Sequence, residues 1–284
     1  MSLRKKYKTF HPYPDRPNSL SREMTLADQF DGFLIDLDGV VWVGREFLPG
    51  AAEALRELRE AGKEIVFVTN NPGRPPATYA ERLREAGVPV DEGRIVTAGI
   101  ATARLAAERA GAGSSAFVIG APAFHDSAAE AGLVLLEDEA GRGADAVLVS
   151  GHRGFDYEEL LTATLALQAG ASLFATSRDP TLPMPGGAWP GTGSILAAVE
   201  TASGARAEIG GKPERHLFDQ ARALIGNAER VAMVGDRIAS DIEGGRRAGL
   251  ATILVLSGAS TGGEAESAEH PPDRVLEDLS GLLR

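Results

Sequence analysis

The chain has 284 residues, 43% of them hydrophobic, a formal net charge of −11 and no cysteine. That length accommodates one large domain or two ordinary ones, and the missing cysteines exclude disulfide scaffolds, thiolate metal sites and cysteine nucleophiles and suit a reducing, cytoplasmic setting. The negative field disfavours nucleic acid and anionic lipid as partners, and no apolar run reaches the ~20 residues of a membrane helix.

Residues 1–25 carry basic side chains with no apolar stretch behind them, so they read as a tail rather than a signal peptide. Residues 32–43 (GFLIDLDGVVWV) read as a strand, and GAAEALRELREAG as a helix with leucines at 55 and 58, closed by Gly62. KEIVFVTNN is a second strand, followed by PPATYAERLREAG, a helix opened by proline and closed by Gly87. SSAFVIG, LVLLED, DAVLVSG, ASLFATS, RAEIGGK, RVAMVGD and LATILVLSG follow as strand candidates, with helical stretches such as YEELLTATLALQAG and GSILAAVETASG between them. This alternation predicts βαβ units and parallel sheet covered on both faces. Residues 179–193 (DPTLPMPGGAWPGTG) are dense in proline and glycine and read as a long, shaped loop.

In open α/β sheets ligands sit outside the carboxyl ends of the strands, which directs attention to Asp36-Leu37-Asp38-Gly39, Thr69-Asn70, Gly210-Gly211-Lys212 and Gly235-Asp236. Carboxylates at i and i+2 of an extended segment point the same way, and at ~6 Å with an effective dielectric of ~20 they repel by roughly 3 kcal/mol. A proton, a basic group or a cation must offset that. Asp236 and Asp241 add two more acids; alone they read equally as capping residues of the next helix. Together with Asp36 and Asp38 they suggest four carboxylates around one hard cation, for which Mg²⁺ is the best fit. Thr69 and Asn70 offer neutral donors suited to a phosphate beside a metal, and Lys212 is the positive group that would neutralise a crowd of oxygens.

The ordered set resembles the haloacid dehalogenase (HAD) superfamily of phosphohydrolases: DxDG at Asp36–Gly39, Thr after a strand at Thr69, Lys212, and GDxxxxD at Gly235–Asp241. Only a strand, a helix and a strand fit between Asp38 and Thr69, whereas the ~140 residues between Thr69 and Lys212 are enough for a whole α/β domain, a layout similar to class IIA, the NagD-like and 4-nitrophenylphosphatase-like group. TNN, PGTGSILAAVE and GGKPE resemble that group as well. The resemblance implies an α/β fold: a Rossmann-like parallel-sheet core over 26–98 and 205–284, with an inserted α/β cap domain over 99–204. It further implies a Mg²⁺-dependent phosphatase for small phosphorylated metabolites. In that reading Asp36 is the nucleophile that forms an aspartyl-phosphate, and Asp38 the general acid and base. Asp36, Asp236, Asp241 and the Asp38 carbonyl surround the metal, while Thr69, Asn70 and Lys212 hold the phosphoryl group. Class members often dimerise through the cap. One motif departs from the family's common GDRLDTDI: this chain has GDRIASDI, with Ala239-Ser240 in place of Asp-Thr.

Two alternatives stay open at this stage: a phosphotransferase or mutase passing the same aspartyl-phosphate to another acceptor, and a phosphometabolite-binding protein with a relict site. For specificity, Trp189 in the Pro/Gly-rich stretch is a candidate substrate contact, as is Arg178, which reads equally as a surface arginine. Trp42 is divided between core and site entrance. Gly258-Ala-Ser260-Thr-Gly262 matches a nucleophile elbow, but EAESAEHPP follows, with proline soon after and no histidine beyond His270, which does not suit the helix and later acid and histidine that an elbow needs.

Overall fold

The computed structural model describes residues 24–111, 113–184 and 187–284. Of the tail expected over 1–25, only Met24 and Thr25 are among them. Six strands form an all-parallel sheet in the order Arg274–Leu276, Ala251–Val255, Val231–Gly235, Gly32–Asp36, Glu64–Thr69, Ile95–Thr97. Five more form a second all-parallel sheet in the order Glu208–Ile209, Ser172–Ala175, Ala146–Val149, Ser115–Ile119, Val134–Leu135. This is the mixed α/β architecture with parallel sheet that the alternation of patterns predicts, and the Rossmann-like core that the resemblance implies.

Both sheets are covered on both faces, because period-2 alternation sends successive side chains to opposite sides. Phe33 and Ile35 pack with Leu55, Leu58 and Leu83 on one side of the large sheet; Leu34 packs with Leu217 and Phe218 on the other. Helix Ala51–Glu60 buries Ala51, Ala54, Leu55 and Leu58, the i, i+3, i+4, i+7 stripe of its sequence. Gly62, at φ +74, lets the chain leave that helix at once. The second sheet repeats the arrangement, with Phe117 and Val147 facing Ala163 and Leu196, and Val118 and Leu148 facing Leu105 and Phe124.

Helix Ala98–Ala110 joins the two units. Ala98 and Ala101 pack in the large-sheet layer, whereas Ala103, Leu105 and Ala106 pack beneath the second sheet. The second sheet reaches Ile209, past the 204/205 boundary read from the sequence, because Glu208 and Ile209 pair with Phe174 and Ala175. Thr181–Met184 pairs antiparallel with Gly187–Pro190, where a long, shaped loop was expected. A two-stranded ribbon has a free edge on each strand, so Pro183 and Pro190 interrupt no second ladder.

In the large sheet, Gly32–Asp36 is central. The chain leaves it toward Glu64–Thr69 and returns from the second sheet to Val231–Gly235 on its other side. A crevice opens at the carboxyl ends where these crossovers diverge. Among the described residues, no helix is long and apolar enough to cross a membrane.

Candidate active site

The expected continuous strand 32–43 ends at Asp36. Leu37 O accepts the N–H groups of Val41 (2.9 Å) and Trp42 (3.2 Å), and Gly39 N donates to Trp42 O at 2.7 Å, so the chain folds into a tight turn. Gly39 takes φ +87, and a Cβ there would lie 2.3 Å from Asp236 Oδ2. Two demands, a left-handed backbone and close approach, therefore fix glycine at this position. The turn separates the two aspartates. Asp36 is buried at the strand end, while Asp38 swings outward and accepts Trp42 Nε1–H at 3.1 Å.

Lys212 is buried and donates from Nζ to Asp36 Oδ1 and, at 2.6 Å, to Asp241 Oδ1. Asn70 fixes its backbone: the Asn70 side chain donates to Lys212 O at 3.0 Å and accepts from Lys212 N at 2.8 Å. The Asn70 side-chain amide is thus engaged on the lysine loop, and the resemblance implies its backbone, not this amide, as the phosphate donor. Gly210 and Gly211 permit the loop to pass; a Cβ on Gly211 would lie 2.2 Å from Thr176 O. The buried Thr69 hydroxyl accepts Asn71 N–H at 3.1 Å and keeps its own proton to donate.

Asp236 directly follows its strand, and Asp241 lies in a single π-helical turn, Ile238–Ile242, ahead of helix Glu243–Arg247. Asp241 Oδ2 accepts Arg237 N–H at 2.9 Å, and Asp236 Oδ2 accepts Ala259 N–H at 2.7 Å. Asp236 Oδ1 is buried without any hydrogen-bond partner. Asp36, Asp236 and Asp241 each offer an oxygen, and these atoms lie within 4.8 Å of one another. Three carboxylates against one ammonium leave an excess negative charge in a dry place, and Asp236 Oδ1 lacks a partner. This donor set fits a hard divalent cation. The expected fourth carboxylate is not in the group, because the turn at Gly39 carries the Asp38 side chain to Trp42.

The electrostatics agree. Burial pushes Asp36 well above the ordinary carboxylate range; Lys212 opposes this, and Asp241 and Asp236 reinforce it. Burial and the neighbouring Asp241 raise Asp236 to about 6. Burial alone would lower Lys212, but Asp241 and Asp36 outweigh it and hold the ammonium charged. Asp38 is raised too: protein crowds its carboxyl, although the residue as a whole is exposed, and the Trp42 hydrogen bond only partly compensates.

Some contributors were not legible. Ser257 Oγ donates to Gly39 O at 2.8 Å, and Ser260 Oγ accepts Ile238 N–H at 3.2 Å. The apparent nucleophile elbow is therefore a brace around Asp236, and its position past the strand Ala251–Val255 was the available signal. Trp42 is both core and wall: it is buried, stacked on Tyr79 (6.3 Å) and lies under the Arg82 guanidinium, 4.0 Å from the ring centroid. Of the specificity candidates, Arg178 binds Glu200 with both Nη atoms (3.1 and 2.9 Å) and donates to Ala207 O. Its fork is filled by a buried carboxylate of its own fold rather than held open for a substrate. Trp189 lies on the hairpin, half-buried beneath Arg153, whose guanidinium is 4.8 Å from its ring. Neither residue bonds to the carboxylate cluster.

The haloacid dehalogenase-like hydrolase profile matches residues 33–134, and a second, HAD-hydrolase-like, matches 209–282. An acid sugar phosphatase of Staphylococcus aureus is 33% identical over 256 residues, covering 90% of this chain and 97% of its own. Among solved structures, the glycerol phosphate phosphatase of Mycobacterium tuberculosis in complex with magnesium superposes with a TM-score of 0.85 at 35% identity, covering 91% of this chain and 78% of that one. The 4-nitrophenylphosphatase of Thermotoga maritima gives 0.83 at 34% identity, covering 91% and 98%.

Proposed function

The chain belongs to the haloacid dehalogenase-like hydrolases, and on that premise we propose that it is a Mg²⁺-dependent phosphatase that hydrolyses small phosphate monoesters through an aspartyl-phosphate at Asp36. The observation that carries this reading is the buried group at the strand ends: Asp36 held by Lys212, with Asp236 and Asp241 within reach of the same point. The relatives named above, phosphatases of sugars, glycerol phosphate and nitrophenyl phosphate, support the substrate class.

An Asp36 oxygen attacks phosphorus in line; the Asp36–phosphorus bond forms as the ester oxygen departs. Asp38, with its raised carboxyl, gives its proton to that leaving oxygen. It then takes a proton from water, which attacks phosphorus and frees Asp36. Thr69 donates its hydroxyl, the Asn70 backbone its N–H, and Lys212 its ammonium to the phosphoryl oxygens. Lys212 also lessens repulsion between a dianionic ester and the Asp36 carboxylate. Asp36, Asp236 and Asp241, with the Asp38 carbonyl, would hold Mg²⁺, which would supply the remaining charge neutralisation when bound.

The test is orthophosphate release from a panel of phosphate monoesters, with and without Mg²⁺, and with Asp36→Asn as control. Release that depends on both Mg²⁺ and Asp36 is expected. No release from any ester by folded, metal-loaded protein would overturn the reading, and transfer of the phosphoryl group to an acceptor other than water would convert it to a phosphotransferase.

A further inference from the structure

Beside Asp38 a cleft of about 610 Å³ opens between the hairpin Trp42–Phe47 and the helix Pro76–Glu85. Three guanidiniums line it: Arg45 from the hairpin, Arg74 from the loop after Thr69, and Arg82 from the helix. None of the three pairs with a carboxylate among the described residues. Glu81 and Glu85 also line the cleft, yet neither pairs with a guanidinium.

Arg82 is the informative member. It lies over the Trp42 ring at 4.0 Å and near Phe47 at 5.5 Å, so aromatic faces fix its position without using its hydrogen bonds. Its Nη2 is buried and has no acceptor. Burial weakens its hold on the proton, and Arg74 and Arg45 act in the same direction, with Asp38 opposing. The buried, unmet donor of Arg82, with Arg45 and Arg74 nearby, is a cost unless an acceptor completes it. Planar guanidinium forks match carboxylate and phosphate oxygens. Asp38, Glu81 and Glu85 line the same cleft and balance the three guanidiniums formally, so the draw on an anion comes from the unengaged guanidinium donors rather than from a net positive field.

The cleft shares Asp38 with the strand-end site, and Asp38 faces the leaving oxygen in the proposed reaction. Resting on that reading, we infer that the cleft holds a second anionic group, a carboxylate or a further phosphate, on the alcohol half of the substrate. The cleft volume lies within the range of small-molecule sites and admits a short carbon chain between the two anionic ends. The favoured esters are then those of acidic or phosphorylated alcohols, ahead of neutral ones.

The experiment compares kcat/KM for three esters of matched length, 2-phosphoglycolate, ethylene glycol bisphosphate and 2-hydroxyethyl phosphate, in wild type, Arg74→Gln, Arg82→Gln and Arg82→Lys. Wild type is expected to prefer at least one anionic ester over the neutral one by tenfold or more, and the one preferred tells carboxylate from phosphate. Both Gln variants should cut that preference at least tenfold, chiefly through KM, with Arg82→Lys recovering part of it. Arg74 is exposed, so Arg74→Gln carries the test alone if Arg82→Gln fails to fold. A wild-type preference below twofold, or one that the Gln variants leave within twofold, overturns the inference while the phosphatase reading stands. No hydrolysis of any of the esters in the wider panel overturns both.

Discussion

Lys212 Nζ lies 2.6 Å from Asp241 Oδ1 while it also donates to Asp36, and all three residues are at most 5% exposed. The lysine is thus the internal counter-ion of a carboxylate cluster as well as a proposed phosphate ligand. Lys212→Met keeps the stem and removes the charge. Stripping one partner from a buried ion pair costs about 3–5 kcal/mol, so metal-free Lys212→Met should lose roughly that much in urea unfolding. Turnover should fall by more than ~100-fold, the scale of losing one preorganised charge. Unaltered metal-free stability would mean that the Asp36 carboxyl, which burial already raises, takes up a proton in place of the lysine's charge.

Asp36→Asn is the cleaner probe of the proposed nucleophile. Asn has the same shape and still accepts from Lys212, but it cannot form an acyl phosphate. Activity should fall at least ~1,000-fold, as for other removed nucleophiles. Burial raises the Asp36 carboxyl, so its ionised form works against the metal-free fold at neutral pH. The variant is therefore expected to melt no lower than wild type without metal. Substantial residual turnover with phosphate release would rule out the covalent role.

What the sequence disclosed, and what it withheld, follows from range. Asp36, Thr69, Lys212 and Asp236 were legible because each ends or closely follows an apolar run, and parallel sheets gather such ends on one edge. The divergence of Asp38 from Asp36 was hidden, because alternation predicts a shared face only while the strand lasts, and the Gly39 turn ends it. Arg45, Arg74 and Arg82 carry no signal in the sequence, since their meeting depends on the hairpin folding over the helix. Arg178, which the sequence left open between substrate contact and surface arginine, was undecided for the same reason: Glu200, its partner, is 22 residues away. The hairpin at 181–190 was hidden by its own prolines, which argue against a strand wherever two neighbours must be paired.

Arg178→Met tests that pairing. The side chain completes Glu200, whose carboxyl is held at about 2 by the Arg178 hydrogen bonds foremost, against the opposing effect of burial. A depressed carboxylate adds stability above its ordinary value of 4.5, and that contribution is lost as pH falls toward about 2. The variant should melt below wild type at pH 7, and the gap should narrow at pH 3. Relative kcat/KM across the ester panel should stay within about twofold, since the guanidinium serves the fold. A large change in ester ranking with unaltered melting would return Arg178 to the substrate site.

The metal's contribution should depend on pH in a direction set by Asp236. Its carboxyl is raised from 3.8 to about 6, first by burial and then by Asp241. A raised folded value means the protonated form suits the metal-free fold. That contribution is complete below 3.8 and is lost as pH rises through about 6. At pH 7.5 the metal-free protein carries an ionised, unpartnered Asp236 Oδ1, which is the state a cation relieves. Excess Mg²⁺ should therefore raise the melting temperature more at pH 7.5 than at pH 5.0. Its affinity by calorimetry should fall by up to about tenfold per pH unit below 6, as protons compete for the ligand. Gly258→Ala offers a second handle, since its Cβ would lie 2.1 Å from Asp236 Oδ2 and displace that carboxylate. The variant should fold and bind Mg²⁺ at least about tenfold more weakly, the scale of disturbing a ligand's supporting contacts. An equal Mg²⁺ gain at both pH values, together with undiminished affinity in Gly258→Ala, would remove Asp236 from the metal site.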